Sequence, residues 1–140
     1  MQTTLAILKP DCVAAGHAGK ILARLEAEGF AIRGLKVLRL TTAQARAFYE
    51  VHRERPFYAG LVEFMTSGPV VPVALERQDA VARLREVMGA TDVAKAAPGT
   101  IRNLYGTSIE RNAIHGSDSP ENAAIEVAFF FSRAELLGAS

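Results

Sequence analysis

The sequence predicts one α/β sandwich, in which helices pack on one face of a β-sheet. Its 140 residues suit a single domain, since domains most often have about 100–150 residues. Hydrophobic residues make up 49% of the chain and charged residues 22%, which is enough apolar material for a core. Strand-like and helix-like segments alternate in the order β α β α α β α β, so we expect residues 1–140 to form one domain.

The first part of the chain predicts a strand, a helix and a second strand. The apolar run Thr3–Leu8 is typical of a strand that is buried on both faces. Apolar residues recur at helical spacing over Gly19–Glu28, and Gly29 would end that helix. Phe30–Leu40 mixes branched and basic residues as a long strand does, and Gly34 is expected to mark a bulge in it.

Two helices are predicted next. Thr41 and Gln44 have the spacing of a capping box, which indicates a helix that runs to about His52. A shorter helix is expected after Pro56, and Gly68 would end it.

A third strand and a further helix follow. Val70–Leu75 is strand-like, but Pro72 has no N–H for a ladder and therefore predicts an edge strand or an irregularity. Asp79 is placed to cap a helix that ends at Gly89.

The last part of the chain begins with a long segment of little periodicity. Ala90–Glu121 far exceeds the usual connection of about 4–6 residues, so we expect a structured, functional loop. Ile125–Phe131 predicts a final strand rich in Phe, and Ser132 with Glu135 would cap a short terminal helix.

Composition and missing motifs exclude several classes of function. The net charge of +1 gives no reason to expect a nucleic acid or an anionic membrane as the main partner. Gly16–Ile21 lacks the first glycine and the hydroxyl of a P-loop, and the three histidines lack the spacing of a zinc site. The single Cys12 forms no internal disulfide, and neither a leader nor a membrane-length apolar run is recognisable, so we expect a cytoplasmic protein.

His115 is the residue most suited to nucleophilic chemistry. It precedes Gly116, and the nearby Ser117 and Asp118 could orient one ring nitrogen and leave the other free to attack. The same histidine could instead be a loop residue that bonds only to backbone, and from chemistry alone that second interpretation is preferred. The surrounding residues must therefore decide.

Those residues carry a family resemblance. The segment Asn112-x-Ile114-His115-Gly116-Ser117-Asp118-Ser119 resembles the active-site signature of nucleoside diphosphate kinases. Further short segments resemble segments of the family's sequences and follow one another in the same order, from residue 3 to about residue 131. They are Lys9-Pro10-Asp11, Arg55-Pro56-Phe57, Ser67-Gly68-Pro69-Val70-Val71, Met88-Gly89-Ala90-Thr91 and Pro98-Gly99-Thr100-Ile101-Arg102. Agreement over nearly the whole chain is not expected by chance.

The resemblance implies an α+β fold, a ferredoxin-like sandwich with a four-stranded antiparallel sheet and helices packed on it. In that fold Val70–Leu75 would be an inner strand, which conflicts with Pro72. The implied reaction moves the terminal phosphate of a nucleoside triphosphate such as ATP to a nucleoside diphosphate, by a ping-pong mechanism through a phosphohistidine at His115. Mg²⁺ would be the cofactor, carried on the nucleotide phosphates. The alternative is a catalytically weak nucleotide-binding regulator on the same fold.

By the same resemblance, Glu126 and Ser117 would support the phosphate acceptor His115. Glu126 lies in an otherwise apolar segment, where a carboxylate is costly unless it is paired. A hydrogen bond to His115 or Ser117 is therefore expected. Alternatively, Glu126 is the solvent-facing member of an alternating strand.

The remaining site residues also follow from the resemblance. Lys9 would contact the sugar 3′-hydroxyl and the transferring phosphate, and Asp118 would hold a water of the magnesium ion. The other expected contacts are Arg85, Thr91 and Arg102 to the phosphates, Asn112 to the ribose, Phe57 and Leu61 to the base, and Tyr49 to His115.

The implied partners are nucleoside di- and triphosphates and further copies of the same chain. The family resemblance predicts a homo-oligomer built from dimers, either a tetramer or a hexamer. The chain ends at Ser140, soon after the last predicted strand, so we expect smaller contacts between the dimers, which leaves both assemblies open. Of the two, we favour the tetramer. Neither a membrane nor a nucleic acid is expected as a partner.

Overall fold

A computed structural model describes residues 1–137. The strands are β1 (Gln2–Leu8), β2 (Ala31–Leu35), β3 (Val71–Arg77) and β4 (Ile114–Gly116). They form one antiparallel sheet in the order β2-β3-β1-β4, which confirms the predicted ferredoxin-like α+β fold.

Eight helices surround this sheet in the described residues, together with two 3₁₀ turns at Glu50–His52 and Val93–Lys95. The helices are α1 (Pro10–Ala14), α2 (Ala18–Ala27), α3 (Thr42–Phe48), α4 (Tyr58–Met65), α5 (Ala80–Met88), α6 (Ile101–Tyr105), α7 (Pro120–Phe130) and α8 (Arg133–Leu137).

The helices cover both faces of the sheet, so the expectation of one covered face is wrong. Ala6 and Leu8 pack with residues of α2 and α5, whereas Leu5 and Ile7 pack with residues of α3, α4 and α7. Successive residues of a strand point to opposite faces. A strand with two covered faces is apolar throughout, which explains the continuous apolar run that predicted β1.

Several local predictions are confirmed. The side chains and backbone N–H groups of Thr41 and Gln44 bond reciprocally at 3.1 and 2.9 Å at the start of α3. Ser132 and Glu135 make the same exchange before α8, at 3.1 and 2.9 Å. Gly89 ends α5 with a φ of 86°, a backbone conformation that is unstrained only for glycine.

The second strand is shorter than predicted. Its ladder ends at Leu35, and beyond it Leu38 makes one isolated bridge to Val70. The expected bulge at Gly34 is confirmed by a register shift, and a Cβ at this glycine would lie 2.9 Å from the Phe131 ring. The bulge therefore makes room for an aromatic side chain of the core.

Pro72 lies in an inner strand, so the expected edge position is wrong. It stands opposite Ile7 of β1, and its carbonyl accepts the Lys36 N–H at 3.1 Å on the β2 side. Because the N–H and C=O of one strand residue point to the same side, the proline nitrogen also faces β2. The β2 ladder ends where Leu35 pairs with Val73, so no ladder bond requires an N–H from Pro72.

Asp79 precedes α5 but does not cap it. Its φ is 51°, and its side chain makes no capping bond. The Gln2 side-chain oxygen accepts the Val81 N–H instead, at 2.8 Å, so the cap comes from β1.

The predicted strand Ile125–Phe131 is wrong, because all of this segment except Phe131, the residue after the helix end, belongs to α7. Ser119 accepts the Asn122 N–H at 3.1 Å and Pro120 occupies the first turn, so the helix begins before the apolar residues. Buried residues then recur at helical spacing, at Ala123, Val127 and Phe130. The strand propensity of Phe, Ile and Val is overridden by this packing. The fourth strand is β4, inside the segment expected to be a loop.

Candidate active site

A cleft of about 610 Å³ has His115 of the edge strand β4 in its wall. Eleven of the twelve expected site residues line it: Lys9, Tyr49, Phe57, Leu61, Arg85, Thr91, Arg102, Asn112, His115, Asp118 and Glu126. The twelfth, Ser117, is buried and bonds to Glu126. The fold therefore gathers residues from seven separate stretches of the chain.

The His115 ring is held by a carboxylate and two aromatic rings. Glu126 Oε1 lies 2.7 Å from His115 Nε2 and accepts the Ser117 hydroxyl at 2.8 Å. A carboxylate only accepts, so Nε2 carries a proton, and in the neutral ring Nδ1 keeps a lone pair. Phe48 and Tyr49 meet the ring edge-on, with centroids 5.5 and 6.2 Å away. Helix α7, rather than a strand, delivers the carboxylate, and Glu126 is not a solvent-facing strand residue.

Tyr49 is buried beside this ring. Burial, together with the Glu126 charge, raises the pKa of the Tyr49 hydroxyl. The phenol therefore stays protonated, and it makes no hydrogen bond within residues 1–137.

Lys9 lines the cleft directly after the end of β1. Its side chain is only 8% exposed, and Nζ donates to Asn112 Oδ1 at 2.8 Å. Asn112 in turn donates from Nδ2 to the Thr91 carbonyl at 3.1 Å. Burial and the Arg102 charge lower the pKa of Lys9 to about 8, and Asp11 partly opposes this.

Arg102 is buried close to Lys9. Its Nη1 donates to the Gly89 carbonyl at 3.0 Å and its Nη2 to the Ile114 carbonyl at 2.8 Å. Burial and the charge of Arg85 lower the pKa of Arg102 to about 10, so it remains charged at neutral pH. Three cations thus line this cleft, which suits a ligand that carries several negative charges.

The opposite part of the cleft is aromatic and apolar. Phe57 is 46% exposed, and the Arg55 guanidinium lies 5.6 Å from its ring centre. Leu61 and Phe64 follow Phe57 by four and seven residues and so share one face of α4. The Arg111 guanidinium lies 5.4 Å from the Phe64 ring centre, which joins the loop before β4 to α4. This end can hold a flat aromatic group.

Sequence reasoning missed several residues of the cleft: Phe48, Val51, His52, Gly60, Phe64, Ile109, Glu110, Gly116, Asn122 and Ile125. Helical spacing from Phe57 would have found Phe64. No pattern marks Ile109 and Glu110, because they lie in an irregular loop.

Asp118 lies at the rim as an exposed carboxylate. Asn122 Nδ2 donates to its Oδ1 at 2.6 Å, and this bond, with smaller effects of Arg85 and His115, lowers the pKa of Asp118. Residues 1–137 contain no cluster of three or more His, Cys, Asp or Glu suited to a metal ion. In the same part of the chain, no helix has the length and apolar character needed to cross a membrane.

The chain is similar to known proteins over nearly its whole length. The sequence model of the nucleoside diphosphate kinase family matches residues 2–136. The nucleoside diphosphate kinase of Chlamydia abortus is 54% identical over 100% of this chain and 99% of its own length. That of Wolinella succinogenes is 55% identical over 97% of this chain and 99% of its own.

Solved structures give the same result. The nucleoside diphosphate kinase of Aquifex aeolicus matches with a TM-score of 0.93 and 52% identity, over 96% of this chain and 97% of that one. The enzyme of Halobacterium salinarum in complex with CDP matches with a TM-score of 0.92 and 43% identity, over 96% and 90%. The chain therefore belongs to the nucleoside diphosphate kinase family.

Proposed function

We propose that this enzyme moves the terminal phosphate of a nucleoside triphosphate to a nucleoside diphosphate in two half-reactions, with His115 carrying the phosphate between them. The observation that carries the proposal is the His115 ring, whose Nε2 is bonded to Glu126 while the ring lines a cleft with three cations. Nδ1 is then the nitrogen that attacks.

In the first half-reaction the Nδ1 lone pair forms a bond to the terminal phosphorus. The bond from that phosphorus to the bridging oxygen breaks, and the nucleoside diphosphate leaves with the electron pair. In the second half-reaction a terminal oxygen of another diphosphate attacks, and the electron pair returns to Nδ1. The Nε2 proton stays on the bond to Glu126, so no general base is needed.

The other site residues bind and orient the nucleotide. Lys9, Arg85 and Arg102 spread the negative charge of the phosphates, and the Thr91 hydroxyl adds a neutral donor. Asn112 and Lys9 bond to the ribose. Phe57 and Leu61 hold the base by contacts that every base can make. Tyr49 keeps the His115 ring in place.

Asp118 fits a magnesium ion that is carried by the nucleotide. Mg²⁺ usually keeps several waters and takes few protein ligands, and one exposed, ionised carboxylate at the rim meets that need. When bound, the ion neutralises charge on the phosphate oxygens. Asp118 would accept a hydrogen bond from one of its waters.

We also propose that the protein is a cytoplasmic homo-oligomer built from dimers, a tetramer or a hexamer. Support comes from the edge strand β2, where Leu35 and the following Val37 expose apolar side chains at a sheet edge to which residues 1–137 add no further strand. The unpaired, buried Cys12 fits a reducing compartment.

The test is a two-step labelling experiment. ATP labelled on the terminal phosphate should leave an acid-labile label on the protein, and unlabelled GDP should then remove it as labelled GTP. His115→Ala should take up no label, whereas His17→Ala, outside the cleft, should behave as the native protein. Label that persists in His115→Ala would refute the assignment. Nucleotide binding without any labelling of the native protein would favour the regulator.

A further inference from the structure

We infer that Asp11 is a positioning residue for phosphoryl transfer, because it holds the turn Asn112–Ala113–Ile114 in the conformation that presents His115. This inference rests on the proposed role of His115. Asp11 itself does not line the cleft.

The turn before His115 has an unfavourable backbone conformation. Ala113 has a φ of 71°, in the left-handed region that side chains with a Cβ rarely adopt. The Ile114 N–H donates to the Asn112 carbonyl at 2.8 Å, which closes a tight three-residue turn. Such a conformation persists only where neighbouring groups enforce it.

Two hydrogen bonds from the segment after β1 enforce it here. Asp11 Oδ2 accepts the Ala113 N–H at 3.1 Å, and the Lys9 N–H donates to the Ala113 carbonyl at 2.9 Å. Ala113 is fully buried. Its N–H bonds only to Asp11 among the residues that the structure describes, so removal of the carboxylate would leave a buried donor unpaired.

The turn connects Asn112 to His115, and these two residues are held in place by different contacts. Asn112 is fixed independently by Lys9 Nζ and the Thr91 carbonyl. On the other side, the Ile114 carbonyl accepts from Arg102, and His115 follows directly. If the turn relaxes when Asp11 is removed, His115 should therefore move further than the residues that bind the ribose and the phosphates.

The surroundings of Asp11 argue for positioning rather than stability. Its second oxygen, Oδ1, is buried and accepts no hydrogen bond in residues 1–137. A half-satisfied buried carboxylate is a poor stabilising element. The other oxygen, Oδ2, accepts the backbone N–H of Ala113, the residue in this turn that has the positive φ.

Four variants of the full-length chain test the inference. Asp11→Ala removes the acceptor, Asp11→Asn keeps an acceptor oxygen without the charge, and Asp11→Ser shortens the side chain by one bond. Ala113→Gly allows a positive φ without a steric penalty. The measurements are the single-turnover rate of His115 phosphorylation by ATP, the Kd of ADP and the melting temperature.

In Asp11→Ala and Asp11→Ser, ATP should phosphorylate His115 at least about tenfold more slowly than in the native protein. The reason is that a small displacement of a nucleophile has a large effect on its rate of reaction. The Kd of ADP should change less than about threefold, and Asp11→Asn should keep most of the rate. Ala113→Gly alone should have little effect, but in the Asp11→Ala background it should restore the rate at least about fivefold. A purely structural role of Asp11 would give no such rescue.

Either of two results would overturn the inference: native rates in both Asp11→Ala and Asp11→Ser, or an equal loss with and without Ala113→Gly. If Asp11→Ala does not fold, Asp11→Ser carries the same comparison. A native protein that forms no phosphohistidine would refute the proposed function itself. An active native protein with native rates in both Asp11→Ala and Asp11→Ser would refute only the role of Asp11.

Discussion

Glu126→Gln is the most direct test of the His115 geometry. The carboxylate accepts from His115 Nε2 at 2.7 Å and from the Ser117 hydroxyl at 2.8 Å, on the same oxygen. When Nδ1 takes the phosphate, the ring gains positive charge and its bond to the carboxylate strengthens. Glutamine has the same size and still offers an oxygen to both donors, so the fold should survive while the negative charge is lost.

The expected magnitude follows from the strength of that bond. Hydrogen bonds to charged groups contribute about 1.5–3 kcal/mol, and about 1.4 kcal/mol corresponds to a factor of ten in rate. Glutamine still accepts a neutral hydrogen bond, which contributes about 0.5–1.5 kcal/mol, so only the difference of about 1–1.5 kcal/mol is lost. The rate of His115 phosphorylation should therefore fall by roughly 5- to 13-fold. The binding of ADP should change little, because Glu126 supports the ring rather than the phosphates.

The assay is rapid mixing with labelled ATP, followed by alkaline quenching that preserves phosphohistidine. Glu121→Gln is the matched control, since it makes the same change at an exposed position in the first turn of the same helix. A Glu126→Gln rate within threefold of the native protein would refute the reasoning. So would an equal loss in the control variant.

Three further predictions concern Lys9, Phe57 and assembly. Lys9→Met should be inactive but more stable than the native protein at pH 7. Burial lowers the pKa of Lys9 from its ordinary 10.5 to about 8. The charged form of Lys9 therefore destabilises the native fold below pH 8. This destabilisation disappears as the pH rises from about 8 to 10.5, so the unfolding free energies of Lys9→Met and the native protein should approach each other over this range. A difference that stays constant would contradict the lowered pKa of Lys9. Phe57→Ala should weaken the binding of adenine, guanine, cytosine and uracil nucleotides by similar factors, because stacking contributes about 1–3 kcal/mol for any base. A loss confined to one base, measured by calorimetry, would show that Phe57 does not act by stacking. Light scattering after size exclusion should give a multiple of the 15.0 kDa chain mass, and a monomer would rule out the oligomer.

Features that depend on near neighbours in the chain could be predicted from the sequence. The capping box at Thr41, the bulge at Gly34 and the helix end at Gly89 were all recognisable, because each depends on a few adjacent residues. The resemblance around His115 also identified the family, since a signature of functional residues is itself a local string.

Features that depend on distant contacts were decided only by the tertiary structure. Ile125–Phe131 has the composition of a strand, yet all of it except Phe131 belongs to a helix whose apolar residues pack against the sheet. Pro72 is tolerated in an inner strand because the neighbouring ladder has already ended, which no property of the proline itself reveals. The same limit applies to the site: Glu126 reaches His115, and Asp11 reaches Ala113, only after β1, β4 and α7 have come together. A short segment of sequence does not contain the distant residues against which it packs. Burial and hydrogen bonding with those residues therefore decide which of the locally allowed conformations the segment adopts.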